Sequence, residues 1–293
     1  MSKGEIGIIG AGRLGASLAA AIAARGYRLT AIASRSEVSA RALAAQLGDG
    51  ALVLNARALV AACELVFLTV PDGELEGLAS SLPWRAGRAV VHCSGALGLD
   101  VLAPAVARGA VAGCLHPLQT FPTRSGDATR FHGITCGVEA PEPLGARLEA
   151  IARALGAEPV RLEGVDRALY HAAAVFASNY VVALAAAAAR GWALAGLPPD
   201  RARVALATLT ANAARDVGER ELRDALTGPI ARGDVGTVAR HLDALAREPG
   251  LRELYRRLGR ELLALEPSPS PDAVARLRAL LGAVEGEGAA GEA

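Results

Sequence analysis

Three glycines near the amino terminus have the spacing of a phosphate-binding loop. Gly10, Gly12 and Gly15 follow an apolar run, Ile6 to Ile9, and precede an Ala-rich segment with helical periodicity. In such a loop the first glycine turns sharply, the second lets backbone N–H groups approach a pyrophosphate, and the third lets the helix pack against the strand. The helix N-terminus then faces the negative charge. Because a second strand follows the helix, the pattern predicts a dinucleotide site rather than a simple tight turn.

The end of the second predicted strand indicates which dinucleotide binds. An acidic residue about 20 positions after the glycines would bind a ribose 2′-hydroxyl, but this chain has Ser34, Arg35 and Ser36 there. A guanidinium and two hydroxyls suit a phosphate monoester, so we predict NADP, with NAD as the alternative. The competing interpretation is that Ser36 only caps the next helix and Arg35 is solvated. The predicted cofactor-binding residues are Gly10, Ala11, Gly12, Arg13, Leu14, Gly15, Ser34, Arg35, Ser36, Val70 and Pro71.

Composition limits the classes of function. With 293 residues, 52% of them hydrophobic, the chain can bury a large core and divide into two domains. A net charge of +1 and an aromatic fraction of 3% argue against a nucleic-acid partner. The four cysteines form no CxxC pair and the histidines no cluster, so we expect reduced thiols, no metal site and, with no signal peptide recognised, a cytoplasmic protein. The apolar segment Ala172 to Leu197 is interpreted as a buried helix rather than a membrane span.

Strand-like and helical segments alternate along the first half of the chain. This alternation predicts an α/β fold with a doubly wound parallel sheet of Rossmann type. From Val165 onward the pattern is helical only, and one long helix is expected from Asp166 to Ala195. We therefore predict a dinucleotide-binding domain at residues 1–163, an all-helical substrate and dimerisation domain at 164–283, and a disordered tail at 284–293.

Polar residues that follow the predicted strands are the candidates for catalysis, because ligands bind beyond the carboxyl ends of parallel strands. His116 is the first choice for proton transfer, since imidazole titrates near neutral pH; the alternative is a histidine that only hydrogen-bonds backbone. Ser94 could donate to a substrate oxygen or merely close a turn. His92, inside a strand, is interpreted as structural.

The helical half supplies further candidates. His171 and Ser178 are seven residues apart, which places them on one face of the expected long helix, with Asn179 adjacent. These polar groups either satisfy one another or line a cleft that faces the cofactor. The loop after Leu226 carries Thr227 and Arg232; Arg232 could hold a substrate carboxylate or form a surface ion pair with the nearby Asp234. Ser178, Thr227 and Arg232 are the predicted substrate-binding residues.

Several segments together resemble a family of bacterial proteins that join a Rossmann-like domain to a helical domain of unknown function. They are the glycine turn, Val91 to Gly95, Leu115 to Phe121, Tyr170 to Tyr180 and Leu226 to Asp234. The resemblance implies the superfamily of 6-phosphogluconate dehydrogenase, ketopantoate reductase and pyrroline-5-carboxylate reductase, with a helical domain of the 6-phosphogluconate dehydrogenase C-terminal type. It also implies a homodimer formed through that domain, and it admits a deazaflavin cofactor.

The same resemblance guides the expected activity. Ser94 and His116-Pro117 resemble strand-end residues that contact substrate in prephenate dehydrogenases, whereas the helical-domain lysine of ketopantoate reductases is missing and His171 lies in its region. We expect an NADP-dependent oxidoreductase that takes a small oxo acid, such as ketopantoate, between its domains. His116 or His171 would supply the proton, and Ser94 and Asn179 would orient the carbonyl. The alternatives are an imine reductase of the pyrroline-5-carboxylate type and a non-catalytic NADP-binding redox sensor.

Overall fold

A computed structural model describes residues 4–48, 50–265 and 270–282. Contacts divide the chain into two units, the first ending at Ser178 and the second beginning at Asn179. The predicted disordered tail, 284–293, lies outside the described residues.

The first unit is built on an eight-stranded sheet with the order β3-β2-β1-β4-β5-β6-β7-β8. Neighbouring strands are parallel except for β6 and β7, which are antiparallel. The predicted α/β class with a doubly wound, mostly parallel sheet is confirmed. The strands are β1 Ile6–Ile9, β2 Leu29–Ala33, β3 Leu52–Val53, β4 Leu65–Leu68, β5 Ala89–His92, β6 Val111–Pro117, β7 Thr135–Glu139 and β8 Glu158–Arg161.

Side chains alternate between the two faces of this sheet, and both faces are buried. In β4, Leu65 and Phe67 enter one apolar cluster, whereas Val66 and Leu68 enter another. A central strand that packs helices on both faces needs apolar residues at every position, which explains the uninterrupted apolar runs in the sequence. The helices of this unit are α1 Arg13–Ala24, α2 Glu37–Leu47, α3 Ala56–Ala62, α4 Leu75–Ser81, α5 Ala103–Val106, α6 Leu144–Leu155 and α7 Arg167–Ala177.

Helix α7 belongs to the first unit, so the division at Ser178 comes later than the predicted boundary after residue 163. The physical reason is Arg167, a buried residue that ties α7 to the sheet. Its Nη2 atom donates to the carbonyl oxygen of Ser94 at 2.8 Å, and its Nη1 atom lies 3.4 Å from Oε2 of Glu139. Sequence patterns locate helices but not the contacts that assign a helix to one unit.

All regular secondary structure among the described residues of the second unit is helical. Its apolar core includes Ile230, Val238, Leu242 and Leu277. The helices are α8 Asn179–Leu194, α9 Pro199–Glu219, α10 Leu222–Ala225, α11 Val235–Ala244, α12 Pro249–Ala264 and α13 Pro271–Leu281.

The expected single helix from Asp166 to Ala195 is wrong in one respect, because the helix is interrupted at Ser178. The Oγ atom of Ser178 donates to the carbonyl oxygen of Ala174 at 2.6 Å, and the backbone at Ser178 leaves the helical region. A serine that hydrogen-bonds the preceding turn is known to bend or weaken a helix. His171 and Ser178 therefore do not share one continuous helical face.

Most of this segment is exposed in the single chain, so burial by its own domain is not found, and cover by a second subunit stays a prediction. Residues Arg167–Leu194 are apolar and long enough for a membrane span by length and composition, yet only 6% of the apolar window is buried. Leu169, Phe176 and Val182 are each about 70% exposed. A single apolar segment of this length is weak evidence for a membrane span. An exposed apolar surface of this kind is typical of an interaction site.

Candidate active site

The glycine turn between β1 and α1 has the geometry of a dinucleotide-binding loop. Gly10 has a φ of +118°, and a Cβ there would lie 2.6 Å from the carbonyl oxygen of Thr69. A Cβ on Gly15 would overlap the carbonyl oxygen of Gly10, so Gly15 allows α1 to approach the turn. At Gly12, by contrast, the nearest atom is 4.0 Å away. Gly12 therefore leaves room for a ligand, whereas Gly10 and Gly15 are required by the fold.

Thr69 stabilises this turn, and the sequence analysis did not select Thr69. Its Oγ1 atom donates to the carbonyl oxygen of Gly10 at 2.8 Å. Thr69 follows β4, which pairs with β1, so the contact joins two neighbouring strand ends. The sequence does show Thr69 as a polar residue directly after a predicted strand, and that position could have identified it.

A cavity of about 510 Å³ extends from the glycine turn past the ends of β2 and β4. It contains the predicted positions Gly10, Ala11, Gly12, Ser34, Arg35, Ser36, Val70 and Pro71. It also contains Asn55, Thr69, Glu74 and Arg124, which the sequence analysis did not select. The volume and the lining suit the adenosine and phosphate portion of a dinucleotide.

Two of the three residues after β2 also have structural partners. Ser36 caps α2, where its Oγ atom accepts from the backbone N–H of Ser39 at 3.3 Å. Arg35 donates from Nη1 to Oε1 of Glu74 at 3.0 Å, and both side chains are exposed. Glu74 therefore competes with a 2′-phosphate for Arg35 and repels that phosphate.

We expect Glu74→Gln to strengthen NADPH binding about 3- to 10-fold without changing the affinity for NADH. The exposed ion pair is worth at most about 1 kcal/mol, but the substitution also removes a negative charge from the phosphate's surroundings. Calorimetric titration with both coenzymes measures the effect. Glu37→Gln is the matched control, because Glu37 pairs with Arg41 on the exposed surface of α2. Equal gains for NADPH and NADH would contradict a role in phosphate recognition.

A second cavity, of about 410 Å³, continues from the glycine turn toward the end of β5. Its predicted residues are Gly12, Arg13, Leu14, Val70, Pro71 and Ser94. Arg124, from the loop after β6, lines both cavities, so its guanidinium is placed to contact the pyrophosphate that would connect them. Nothing in the sequence distinguishes Arg124 from other loop arginines.

Ser94 is already engaged by its neighbours. Its Oγ atom donates to Oδ2 of Asp72 at 2.8 Å and accepts from the backbone N–H groups of Ala96 and Leu97. A serine hydroxyl has only one proton, so Ser94 does not donate to a substrate in this arrangement. The structure instead makes Ser94 the link between the loop after β5 and Asp72.

Three side chains meet beside this loop. Nδ1 of His116, at the end of β6, lies 2.9 Å from Oη of Tyr170 on α7. The ring of His171, also on α7, lies 6.3 Å from the ring of His116. The structure therefore brings the two predicted histidines together and adds Tyr170, whose hydroxyl is the partner that sequence reasoning did not identify.

His116 is neutral at physiological pH. Burial and, to a smaller extent, the positive charge of Arg167 lower the pKa of His116 to about 4. The same two causes lower the pKa of His92 to about 4. His92 is fully buried and its Nδ1 accepts from the backbone N–H of Ser94, in keeping with a structural role. A neutral His116 can pass a proton only if its other ring nitrogen receives one.

We expect the free energy of unfolding to fall as the pH is lowered from about 6.5 to about 4. In that range the unfolded chain protonates His92 and His116 and the folded chain does not, so acid favours unfolding. At pH 5, His116 alone accounts for up to about 2 kcal/mol. Thermal melts at pH 7.5 and pH 5 compare wild type with His116→Gln. The variant should lose less stability between the two pH values; an equal loss would contradict the lowered pKa.

The remaining predicted residues lie at or beyond the boundary between the units. Ser178 ends the first unit, and Asn179 is the first residue of α8. Thr227 and Arg232 are exposed on the loop between α10 and α11. Asp234 caps α11 by accepting hydrogen bonds from the backbone N–H and the hydroxyl of Thr237, and among the described residues it forms no ion pair with Arg232. Roles for these residues in substrate binding stay predictions.

All four cysteines are buried and unpaired. Burial raises the pKa of Cys63 and Cys114 to about 11 and that of Cys136 to about 12, so these thiols are poor nucleophiles. Within residues 4–48, 50–265 and 270–282, no three His, Cys, Asp or Glu side chains are grouped to hold a metal ion.

The sequence matches two family models. Residues 1–117 match a Rossmann-like domain, and residues 134–262 match a domain of unknown function, DUF2520. The two matches together span most of the chain, a Rossmann-like segment followed by a DUF2520 segment. The resemblance found from its motifs is thereby confirmed. The DUF2520 match begins just before β7, so the antiparallel edge of the sheet and α7, with Tyr170 and His171, fall within it.

Solved structures share the fold over most of their length. BF3122 from Bacteroides fragilis, whose assigned class is NADP oxidoreductase, has 29% identity and a TM-score of 0.71, covering 88% of this chain and 97% of that one. TM1727 from Thermotoga maritima has 26% identity and a TM-score of 0.69, covering 89% and 97%. A pyrroline-5-carboxylate reductase from Coxiella burnetii has 18% identity and a TM-score of 0.60, covering 95% and 99%. A comparison with curated proteins finds no significant match.

Proposed function

We propose that the chain is an NADP-dependent oxidoreductase that transfers hydride between NADPH and a small carbonyl compound. The observation that carries this proposal is the arrangement along one edge of the sheet. Two cavities share the glycine turn and Arg124, one reaching Arg35 and the other reaching Ser94, whose loop adjoins His116 and His171. This order matches the order of groups in a dinucleotide that ends in a reactive nicotinamide.

The residues present fit NADP. Gly12 leaves room beside backbone N–H groups at the start of α1, and Arg124 and Arg13 supply positive charge there. Arg35 supplies a guanidinium where the 2′-phosphate would lie. The relative BF3122, of the NADP oxidoreductase class, supports this choice. When bound, the coenzyme supplies the hydride.

His116 and Tyr170 transfer the proton to the substrate. If Tyr170 donates its hydroxyl proton to Nδ1 of His116, then Nε2 of His116 carries a proton that it can give to the substrate oxygen. Nδ1 takes the Tyr170 proton in the same step; after the product leaves, solvent gives a proton to Nε2 and Nδ1 returns its proton to the Tyr170 oxygen. This relay leaves His116 neutral throughout, as its low pKa requires.

The substrate class is the finer part of the proposal. A 2-oxo acid is the first candidate, because the proton relay serves a substrate oxygen; the comparisons give ketopantoate itself no support. Imines are the second candidate, because a pyrroline-5-carboxylate reductase shares the fold. A protein that binds NADPH but reduces neither class would be the redox sensor.

We further propose a homodimer formed through the helical unit. Val204 and Leu209 on α9 are exposed, as is Val182 on α8, and such apolar surface is typical of a subunit interface. Light scattering of the full chain should give twice the mass of one subunit.

Buried reduced thiols support a cytoplasmic location.

The deciding experiment is NADPH oxidation by the purified full chain over a panel of 2-oxo acids and imines. The proposal expects at least one substrate of either class to oxidise NADPH faster than NADH. NADPH binding without turnover on every member of the panel would contradict the catalytic proposal.

A further inference from the structure

Among the described residues that line the second cavity, Asp72 is the one acidic side chain. The other charged residues of this cavity, Arg13 and Arg124, are positive and suit the phosphates of a coenzyme. A carboxylate repels phosphates, so Asp72 does not fit that part of the ligand. Its charge suits instead a part of the ligand that carries positive charge.

The order of the strand ends places Asp72 beyond the glycine turn. Neighbouring strands follow the order β2-β1-β4-β5, and the residues after them are Arg35, the glycine turn, Asp72 and Ser94. A dinucleotide with its 2′-phosphate at Arg35 and its pyrophosphate at the glycine turn continues toward Asp72 and Ser94. Asp72 does not line the cavity that contains Arg35. Under the proposed function, Asp72 therefore lies on the nicotinamide side of the coenzyme.

Ser94 fixes the position of this carboxylate. The buried hydroxyl of Ser94 accepts from the backbone N–H groups of Ala96 and Leu97 at 3.2 and 3.1 Å. Its single proton is donated to Oδ2 of Asp72 at 2.8 Å. In the part of the chain that the structure describes, Oδ1 of Asp72 has no hydrogen-bond or ion-pair partner. A negative charge held in this way needs little rearrangement when the charge of a neighbouring ligand changes.

We infer that Asp72 makes the second cavity favour the oxidised coenzyme, because it places a fixed negative charge beside the nicotinamide ring. This inference rests on the proposed function, which brings the coenzyme to the cavity. NADPH and NADP⁺ share their phosphates, riboses and carboxamide and differ at the ring. The ring is neutral in NADPH and positively charged once a hydride, with its two electrons, has moved to the substrate carbon. The carboxylate attracts the positive ring and lacks this attraction for the neutral one.

The same charge assists the reduction of a substrate. Positive charge develops on the ring while the hydride leaves, and a group that binds this charge more strongly than the neutral ring lowers the barrier. The proton that completes the reduction goes to the substrate oxygen from His116, as described above.

Asp72→Asn removes the charge and keeps the shape of the side chain. Asparagine still offers an oxygen to the Ser94 hydroxyl, and Asp72 is exposed, so the melting temperature should stay near wild type. The full chain is titrated by calorimetry with NADP⁺ and with NADPH at one ionic strength. We expect the dissociation constant for NADP⁺ to rise about 3- to 10-fold and that for NADPH to change less than about 2-fold.

Glu74→Gln is the matched control. It removes the same charge from the other end of the same helical turn, where Glu74 lines the cavity at Arg35. Both oxidation states carry the same 2′-phosphate, so this variant should strengthen their binding by the same factor and leave the ratio of the two dissociation constants at the wild-type value.

Two results would overturn the inference alone. One is an unchanged ratio in Asp72→Asn, and the other is an equal loss of affinity for NADP⁺ and NADPH, which would indicate a contact with the ribose or the carboxamide instead. In both cases wild type binds the coenzyme and the proposed function stands. If wild type bound neither oxidation state, the proposed function would be contradicted and this inference with it.

Discussion

Gly12→Ala should weaken NADPH binding by at least about 100-fold, or about 2.7 kcal/mol, while the fold is preserved. Apart from the chain neighbours of Gly12, the protein atom nearest to a Cβ there is the carbonyl oxygen of Thr69, at 4.0 Å. Its φ of −81° is accessible to alanine, so the protein tolerates the methyl group. The methyl group would instead occupy the space that a pyrophosphate needs beside the backbone.

Titration with NADPH by fluorescence or calorimetry, together with a thermal melt, measures both parts of this expectation. Gly73→Ala is the matched control, since a Cβ there meets nothing within 4 Å and Gly73 lies outside both cavities. Gly15→Ala gives the opposite pattern, a loss of stability, because its Cβ would overlap the Gly10 carbonyl oxygen. NADPH affinity in Gly12→Ala equal to wild type would place the coenzyme elsewhere.

His116→Ala should lower turnover about 10²- to 10⁴-fold and change the NADPH dissociation constant less than about 3-fold. The reason is that His116 lines neither of the two cavities assigned to the coenzyme, while its Nε2 lies against Gly95, next to Ser94 of the second cavity. Tyr170→Phe should lower turnover less, because it removes the proton source of the relay but keeps the imidazole.

The second unit offers a matched control for this variant. His241 hydrogen-bonds Oη of Tyr255 at 2.9 Å, the same distance as between His116 and Tyr170, and their rings have a similar edge-on geometry. His241→Ala removes an equivalent pair within the second unit and should keep full activity. If His116→Ala loses NADPH affinity in proportion to turnover, His116 belongs to the coenzyme site instead.

The sequence was enough to predict the glycine turn and the edge of the sheet at which residues gather. Glycine spacing and apolar strand runs depend on local geometry, and strand ends in a parallel sheet share one edge. Hence Arg35, Ser94 and His116 could be selected before any contact was known.

Contacts between distant elements could not be predicted from the same patterns. Glu74 pairs with Arg35 across 39 positions, and Tyr170 meets His116 across 54. The break at Ser178 was also missed, because helical periodicity continues through it while one side-chain hydrogen bond interrupts the backbone. Ser94 was selected as a donor to substrate because the sequence does not show that its hydroxyl donates to Asp72.

The central claim is that the cavity between the glycine turn and Arg35 binds NADP. Calorimetric titration of the purified full chain with NADPH and with NADH, at one ionic strength, tests it most directly. We predict an NADPH dissociation constant at least about 10-fold lower than that for NADH, a difference of about 1.4 kcal/mol. Equal affinities, tighter binding of NADH, or no binding of either coenzyme would contradict the account.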